Sequence, residues 1–146
     1  MPNFKKDLSD GHDFEDSILK FVQIKYPKAY RVHGYHPGFD IFVPEKDHKI
    51  ECKYDRMSQK TGNIAIEFFD RGKPSGIETT KATHWIYKFH NGTDWRLAIG
   101  RVSVWREICQ GQRIVNGGDH YAARMYLVPK TELLRKGIKI RKGGDV

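Results

Sequence analysis

Between residues 38 and 55 the chain reads GFDIFVPEKDHKIECKYD, and this stretch limits the fold more than any other. Two β-prone runs, FDIFV and KIECKY, flank a turn at Pro44 to Asp47, and each carries charge inside an apolar alternation. Side chains alternate along a strand, so Phe39, Ile41 and Val43 share one face while Asp40 and Phe42 share the other. In the second run Ile50, Cys52 and Tyr54 oppose Lys49, Glu51 and Lys53. A hairpin across the turn would bring Asp40 opposite the end of the second strand, near Glu51 and Lys53. Ions taken out of water are costly unless paired or bound to a metal. The alternation therefore predicts two carboxylates and a lysine converging at one sheet edge, with a reason for being there.

Around this hairpin, 146 residues suffice for one core and not for two, which predicts a single domain over 1–146 with a basic C-terminal tail from about 135. The 26 basic against 18 acidic side chains leave a net charge of +8, which favours a polyanionic partner such as nucleic acid. Cys52 and Cys109 are too few for a disulfide framework or a four-cysteine zinc site, and a reducing cytoplasm suits them. The seven histidines, His33, His36, His84, His90 and His120 among them, show no structural zinc spacing. No run has the length of a signal peptide or a membrane span, so the expectation is a cytoplasmic protein without a membrane partner.

Periodicity supplies the remaining elements. HDFEDSILKFVQIKYP places Phe14, Ile18, Phe21 and Val22 at helical spacing, with acids in its first turn and Pro27 just past its end. After it come the short β-prone runs AYRVHGY, FDIFV, KIECKY and NIAIEFF. RGKPSGIETTKAT reads as a loop entering a short helix, and HWIYKFH and DWRLAIGRV are joined by Asn91-Gly92, a strong hairpin signal. SVWREICQG predicts a helix from Ser103 to Gly111, followed by a strand RMYLVP and a short helix KTELLRKG. The order indicates an α/β (α+β) fold, a mixed central sheet flanked by helices.

Two carboxylates and a backbone carbonyl form a hard-oxygen site suited to Mg²⁺ or Mn²⁺, ions that also bind phosphates. Such an ion polarises a phosphodiester and acidifies a bound water, and a neighbouring ammonium offsets charge growing on phosphorus. A first helix bearing an acid, then Asp40 on one strand and Glu51-Cys52-Lys53 on the next, resembles the PD-(D/E)xK nuclease superfamily. Within it, small, basic phage or archaeal Holliday-junction-resolvase-like endonucleases are nearest in size and layout, and a phage-encoded member would act in the host cytoplasm. The resemblance covers roughly residues 12 to 90 and implies a restriction-endonuclease-like αβββαβ core and Mg²⁺-dependent hydrolysis of DNA. It implies Asp40 and Glu51 as metal ligands, the Cys52 carbonyl as a further ligand and Lys53 as the catalytic lysine. The proline that precedes the aspartate in the motif is replaced here by Gly38-Phe39.

The tripeptide alone carries little weight, because about two acid-x-Lys matches are expected by chance and two occur, Asp47-His48-Lys49 and Glu51-Cys52-Lys53. Context decides between them: Asp47 falls in the turn, Glu51 inside the strand. The opposing reading is an edge strand with an ordinary Glu/Lys ladder. Glu15 borders the buried stripe of the first helix, and the resemblance makes it a candidate to reach the metal; the plain alternative is a first-turn acid complementing the helix dipole. Glu67, the one charge within NIAIEFF, either joins the acidic cluster or orients the lysine, or is simply solvated. Ser75, Thr79, Thr80 and Lys81 fall near the predicted helix start, with Lys60, Arg71 and Lys73 flanking, a candidate grip on the DNA backbone. Arg135, Lys136, Lys139, Arg141 and Lys142 are read as a basic arm on phosphates or a solvated tail. A resolvase would need a symmetric homodimer, although no segment announces an interface. The competing function is a non-catalytic nucleic-acid-binding module that keeps the fold and has lost the chemistry.

Overall fold

The computed structural model describes residues 4–32, 38–134 and 137–142 and shows a mixed α+β architecture. It contains two α-helices, α1 (Phe4–Lys25) and α2 (Val102–Cys109), and ten strands. These are β1 (Tyr30–Arg31), β2 (Ile41–Val43), β3 (His48–Tyr54), β4 (Asn63–Asp70), β5 (Lys73–Pro74), β6 (His84–His90), β7 (Trp95–Arg101), β8 (Arg113–Gly117), β9 (Ala123–Pro129) and β10 (Lys139–Arg141). A six-stranded sheet runs β1-β2-β3-β6-β7-β10, and a four-stranded sheet runs β5-β4-β9-β8. None of the described helices is long and apolar enough to cross a membrane.

The predicted hairpin forms in the expected register, with Ile41 opposite Ile50 and Val43 opposite His48. Asp47 takes a positive φ of 53° in the turn, a conformation that Asp tolerates better than most residues. β6 then joins β3 in parallel, Ile50 pairing with His84 and Lys53 with Tyr87, so the large sheet is mixed. As a central strand β6 is apolar on both faces: Trp85, Tyr87 and Phe89 enter one core and Ile86 the other. β6 turns into β7 at Asn91-Gly92, where the Asn91 side-chain oxygen accepts from the Thr93 and Asp94 amides, each at 2.9 Å.

Two cores lie on the two faces of the large sheet. On one face Phe14, Ile18 and Val22 of α1 cover Ile41, Val43, Ile50, Ile86 and Leu97. On the other, Trp85, Tyr87 and Phe89 meet Ile64, Ile66 and Val128 of the small sheet and Val102, Trp105 and Ile108 of α2. Burial of such side chains contributes roughly 1.5–3 kcal/mol each.

Several expectations are corrected. α1 begins at Phe4 and runs through Gly11, so Asp13, Glu15 and Asp16 lie in mid-helix and not in a first turn. The helix continues back through Gly11 despite about 1 kcal/mol against Gly in a helix interior, so the acids read as its first turn sit well inside it. NIAIEFF forms β4 in the second sheet, not a neighbour of β3. The segments expected as short helices around 76 and 130 are 3-10 turns, Gly76–Glu78 and Lys130–Leu134. The basic tail is in part a strand, β10, paired with β7; Arg135 and Lys136 lie outside the described residues, as do His33 and His36. β8 was not anticipated, because RIVNG has too short an alternation to stand out.

A buried polar knot joins the sheets just after β3. The Asp55 carboxylate accepts from the Ser58 amide at 3.2 Å and the Ala65 amide at 3.1 Å. The Ser58 hydroxyl, fully buried, donates to the Asp55 carbonyl at 2.5 Å and accepts from the His90 amide at 2.9 Å, while Lys130 Nζ donates to the Ser58 carbonyl at 2.6 Å. Tyr87 Oη donates to the Ala65 carbonyl at 2.6 Å. Asp55→Ala leaves the Ala65 amide without its acceptor and the Ser58 amide with only the Asp55 carbonyl at 3.3 Å, and is expected to cost about 1–3 kcal/mol, lowering Tm by roughly 3–10 °C in a thermal melt. A change below about 0.5 kcal/mol would show that the knot is not what joins the sheets.

Candidate functional site

Asp40 stands one residue before β2 and extends the hairpin ladder. Its amide donates to the Ile50 carbonyl at 2.8 Å and its carbonyl accepts from the Val32 amide at 2.9 Å. Where the ladder would continue, Asp40 Oδ2 accepts from the Cys52 amide at 2.8 Å. The side chain thus takes a backbone position on β3, between Glu51 and Lys53. Glu51 Oε2 lies 3.4 Å from Lys53 Nζ, and the Glu51 side chain is 15% exposed against 38% for Lys53. Lys53 Nζ also sits 5.1 Å from the centroid of the Trp85 ring, a cation–π contact that holds the ammonium over the sheet.

Burial sets the electrostatics. Desolvation pushes the Asp40 carboxyl above its ordinary range, against the lowering effect of the Cys52 amide and of the Lys53 and Arg31 charges. Burial likewise raises Glu51; Lys53 opposes the rise and the Asp40 charge adds to it. The buried Glu51 Oε2 has Lys53 Nζ at 3.4 Å, a long contact that does not meet hydrogen-bond geometry, so the lysine compensates its charge only in part and room remains for a second cation. The Cys52 thiol is pushed well up by burial, then by Asp40, Glu15 and Glu51, and so stays protonated and is no nucleophile.

The loop after β5 closes the site from the side. Thr80 Oγ1 donates to the Gly38 carbonyl at 3.3 Å and accepts from Trp85 Nε1 at 3.2 Å, tying the ring beneath Lys53 to the backbone two residues before Asp40. Gly38 has φ +95°, and a Cβ there would lie 2.7 Å from the Lys81 amide nitrogen, so glycine is required. Phe39, where the resembled motif has proline, corrects the alternation: it packs against the Trp85 core and not with Ile41 and Val43, because β2 begins only at Ile41, and it carries Lys49 Nζ 5.7 Å from its ring.

The other predicted residues divide. Glu15 is ion-paired to Arg31, whose guanidinium also reaches Asp16 at 2.8 Å. Glu67 accepts from Ser75 Oγ at 2.9 Å on the small sheet. Among the described residues no three His, Cys, Asp or Glu side chains gather as a metal cluster, so neither Glu15 nor Glu67 joins Asp40 and Glu51 as a third ligand. Of the basic and hydroxyl residues expected on a helix start, Lys81 adjoins the site through Gly38. Arg71 pairs with Asp70 at 3.0 Å; Lys60, Lys73 and Thr79 are exposed, and no α-helix begins there to gather phosphates. Sequence reasoning missed Arg31 and Trp85 as members of this arrangement, and it named Thr80 for a grip on the DNA backbone, where the structure has it bonding Gly38 and Trp85. Trp85 was accessible in principle, because the strand alternation of HWIYKFH sets it on one face with Tyr87 and Phe89. No family model matches this sequence, and no curated protein matches it.

The raised carboxyls set a pH signature. Below the ordinary carboxylate range both states are protonated; as pH rises, the unfolded chain releases its protons first, and stability falls through the folded pKa values. Glu51→Gln removes one such group, so it is expected to melt higher than wild type at pH 8, by about 2–4 °C for roughly 1 kcal/mol, and to lose that advantage at pH 4. Equal shifts at both pH values in metal-free buffer would refute a Glu51 destabilised by its charge.

Proposed function

We propose that this protein is a divalent-metal-dependent endonuclease that hydrolyses DNA phosphodiester bonds through a PD-(D/E)xK-type centre. The observation that carries the reading is the half-buried pair of carboxyls Asp40 and Glu51, both raised by desolvation, with Lys53 Nζ at 3.4 Å from Glu51 Oε2 as their partial counter-charge. Structural ion pairs rarely put two mutually repelling carboxyls at one sheet edge; a metal site does. Further support comes from topology: a leading helix, the antiparallel run β1-β2-β3 and a parallel β6 are compatible with a restriction-endonuclease-like core in which β4, β5 and 3-10 turns occupy the crossover. The net charge of +8 suits a polyanionic substrate.

In this reading Asp40 and Glu51 hold the ion, together with the Cys52 carbonyl, whose residue already offers its amide to Asp40 along the same strand edge. Mg²⁺ or Mn²⁺ there would supply Lewis acidity toward the phosphodiester and an acidified water. Lys53, steadied by Trp85, offsets the charge that develops on the phosphoryl oxygens and orients the attacking water. Lys81, whose backbone adjoins Gly38 and whose side chain is exposed, would contact an adjacent phosphate. Glu15 serves through Arg31, a guanidinium that lowers the charge cost of Asp40.

Incubating plasmid, single-stranded and four-way-junction DNA with Mg²⁺ or Mn²⁺ tests the reading. Wild type is expected to cut, and Lys53→Ala and Asp40→Ala are expected to lose at least about 10²-fold in rate. A wild type that binds DNA but cuts none of these substrates would favour the non-catalytic binding module. Junction cleavage would further call for a symmetric dimer, visible by sizing on the junction. Metal at about ten times its Kd is expected to add roughly 1.4 kcal/mol, about 3–5 °C, and this gain should vanish in the Asp40→Asn, Glu51→Gln double variant. A metal shift that survives in the double variant would place the ion elsewhere.

A further inference from the structure

A cavity of about 560 Å³ opens on the α1 side of the large sheet, away from the Glu51 and Lys53 face. Its origin is geometric. α1 covers the face over β2, β3 and part of β6, and leaves uncovered the region where β6, β7 and β10 run on beside its C-terminal half. Register fixes what faces this space. Ile50, His84 and Arg101 form one cross-strand row, and Ile86, Ile99 and Lys139 form the next. Phe21 and Tyr26 of the α1 end close one side.

The lining has a one-sided charge. Lys25, Arg101, Lys139 and Arg141 reach it, and among the described residues no Asp or Glu lines it. Its floor holds two imidazoles, His48 and His84, with ring centroids 4.0 Å apart and planes 37° from parallel. The ring of His84 is anchored by a 2.8 Å hydrogen bond between Nδ1 and Thr83 Oγ1. Burial and the neighbouring cations keep both rings neutral, His84 down at about 4, so they offer flat π faces and not further charge.

We propose that this cavity binds an aromatic organophosphate of mononucleotide size. The volume falls in the range of small-molecule sites, roughly 300–1,000 Å³. Guanidinium groups fork onto phosphate oxygens, which the Arg101 and Arg141 pair would supply with Lys139 beside them. The tilted pair of imidazoles with Phe21 and Tyr26 provides planar surfaces for a heteroaromatic ring, and Ile50, Ile86 and Ile99 exclude water behind it. This inference is independent of the nuclease reading, because its residues alternate to the opposite side of β3 and β6.

Calorimetric titration of the full chain with adenosine monophosphate, thymidine monophosphate, dodecanoate and inorganic phosphate tests it. The expected result is saturable binding of at least one nucleotide, at least about tenfold tighter than inorganic phosphate, with changes confined to the His48 and His84 imidazole NMR signals among the histidines. The variant Arg101→Gln, Lys139→Gln, Arg141→Gln changes exposed side chains and should keep its circular dichroism spectrum while losing at least about tenfold in nucleotide affinity. Lys53→Ala should bind as wild type does. No saturable nucleotide binding, binding no tighter than inorganic phosphate, tighter binding of dodecanoate, or full affinity in the triple variant would each overturn the proposal.

Discussion

The hydrogen bond from the Cys52 amide to Asp40 Oδ2 is the point on which the candidate site turns. β2 is only three residues long, so the backbone ladder with β3 runs out at Ile41 and the Asp40 amide. Beyond it the Cys52 amide would face an open edge, half-buried and in need of an acceptor. The carboxylate supplies one and is thereby fixed opposite Glu51. The same substitution of side chain for strand lets residues 38 to 40 leave the sheet, which is what brings Gly38 against Lys81 and Thr80. One hydrogen bond therefore ends a strand, places an acid and admits the crossover loop.

That placement works against stability. Two carboxyls raised by desolvation lie next to a lysine that is over a third exposed and 3.4 Å from Glu51 Oε2, and so a screened, partial counter-charge. Had the edge been selected for folding alone, Gln at 51 would leave the core and the hairpin intact and remove the repulsion. Arg31 relieves some of it from the helix side, at the expense of committing Glu15 to an ion pair. The stability of the fold rests elsewhere, on the two apolar cores and on the Asp55–Ser58 knot that stitches the sheets together behind the site. Strain and support occupy the two ends of β3.

The hairpin register and the common face of Glu51 and Lys53 were legible because a period of two is a local property, whereas Phe39 left that alternation where the strand ends; Asn91-Gly92 was legible because its turn chemistry is local as well. Membership of β4 in a second sheet was not, since NIAIEFF looks the same whether its apolar face meets β3 or lies across a core from it. The role of Glu67 was misjudged for the same reason, its partner Ser75 being determined by the β4–β5 turn. Glu15 failed differently: its position on the helix stripe was sound, but Arg31 sits on a two-residue strand that carries no periodic signal. Long-range pairing of single charged residues leaves no pattern in a sequence.

Strand alternation also separates the two faces of the large sheet chemically. Along β3, Glu51 and Lys53 face the side of Trp85, while His48 and Ile50 face the side of His84 and Ile86. On β7 the inner position opposite Trp85 is Gly100, where a Cβ would lie 2.4 Å from Ile138 Cδ1; the missing side chain lets Trp105 and Ile138 close over the sheet. Its neighbour Arg101 points the other way, into the basic cavity, and begins α2. The apolar packing that supports the carboxylate centre and the cationic groups of the cavity thus come from adjacent residues of the same strands. Adjacent residues of one strand thus serve different faces in packing, while charge still couples across the sheet, as Arg31 does to Asp40.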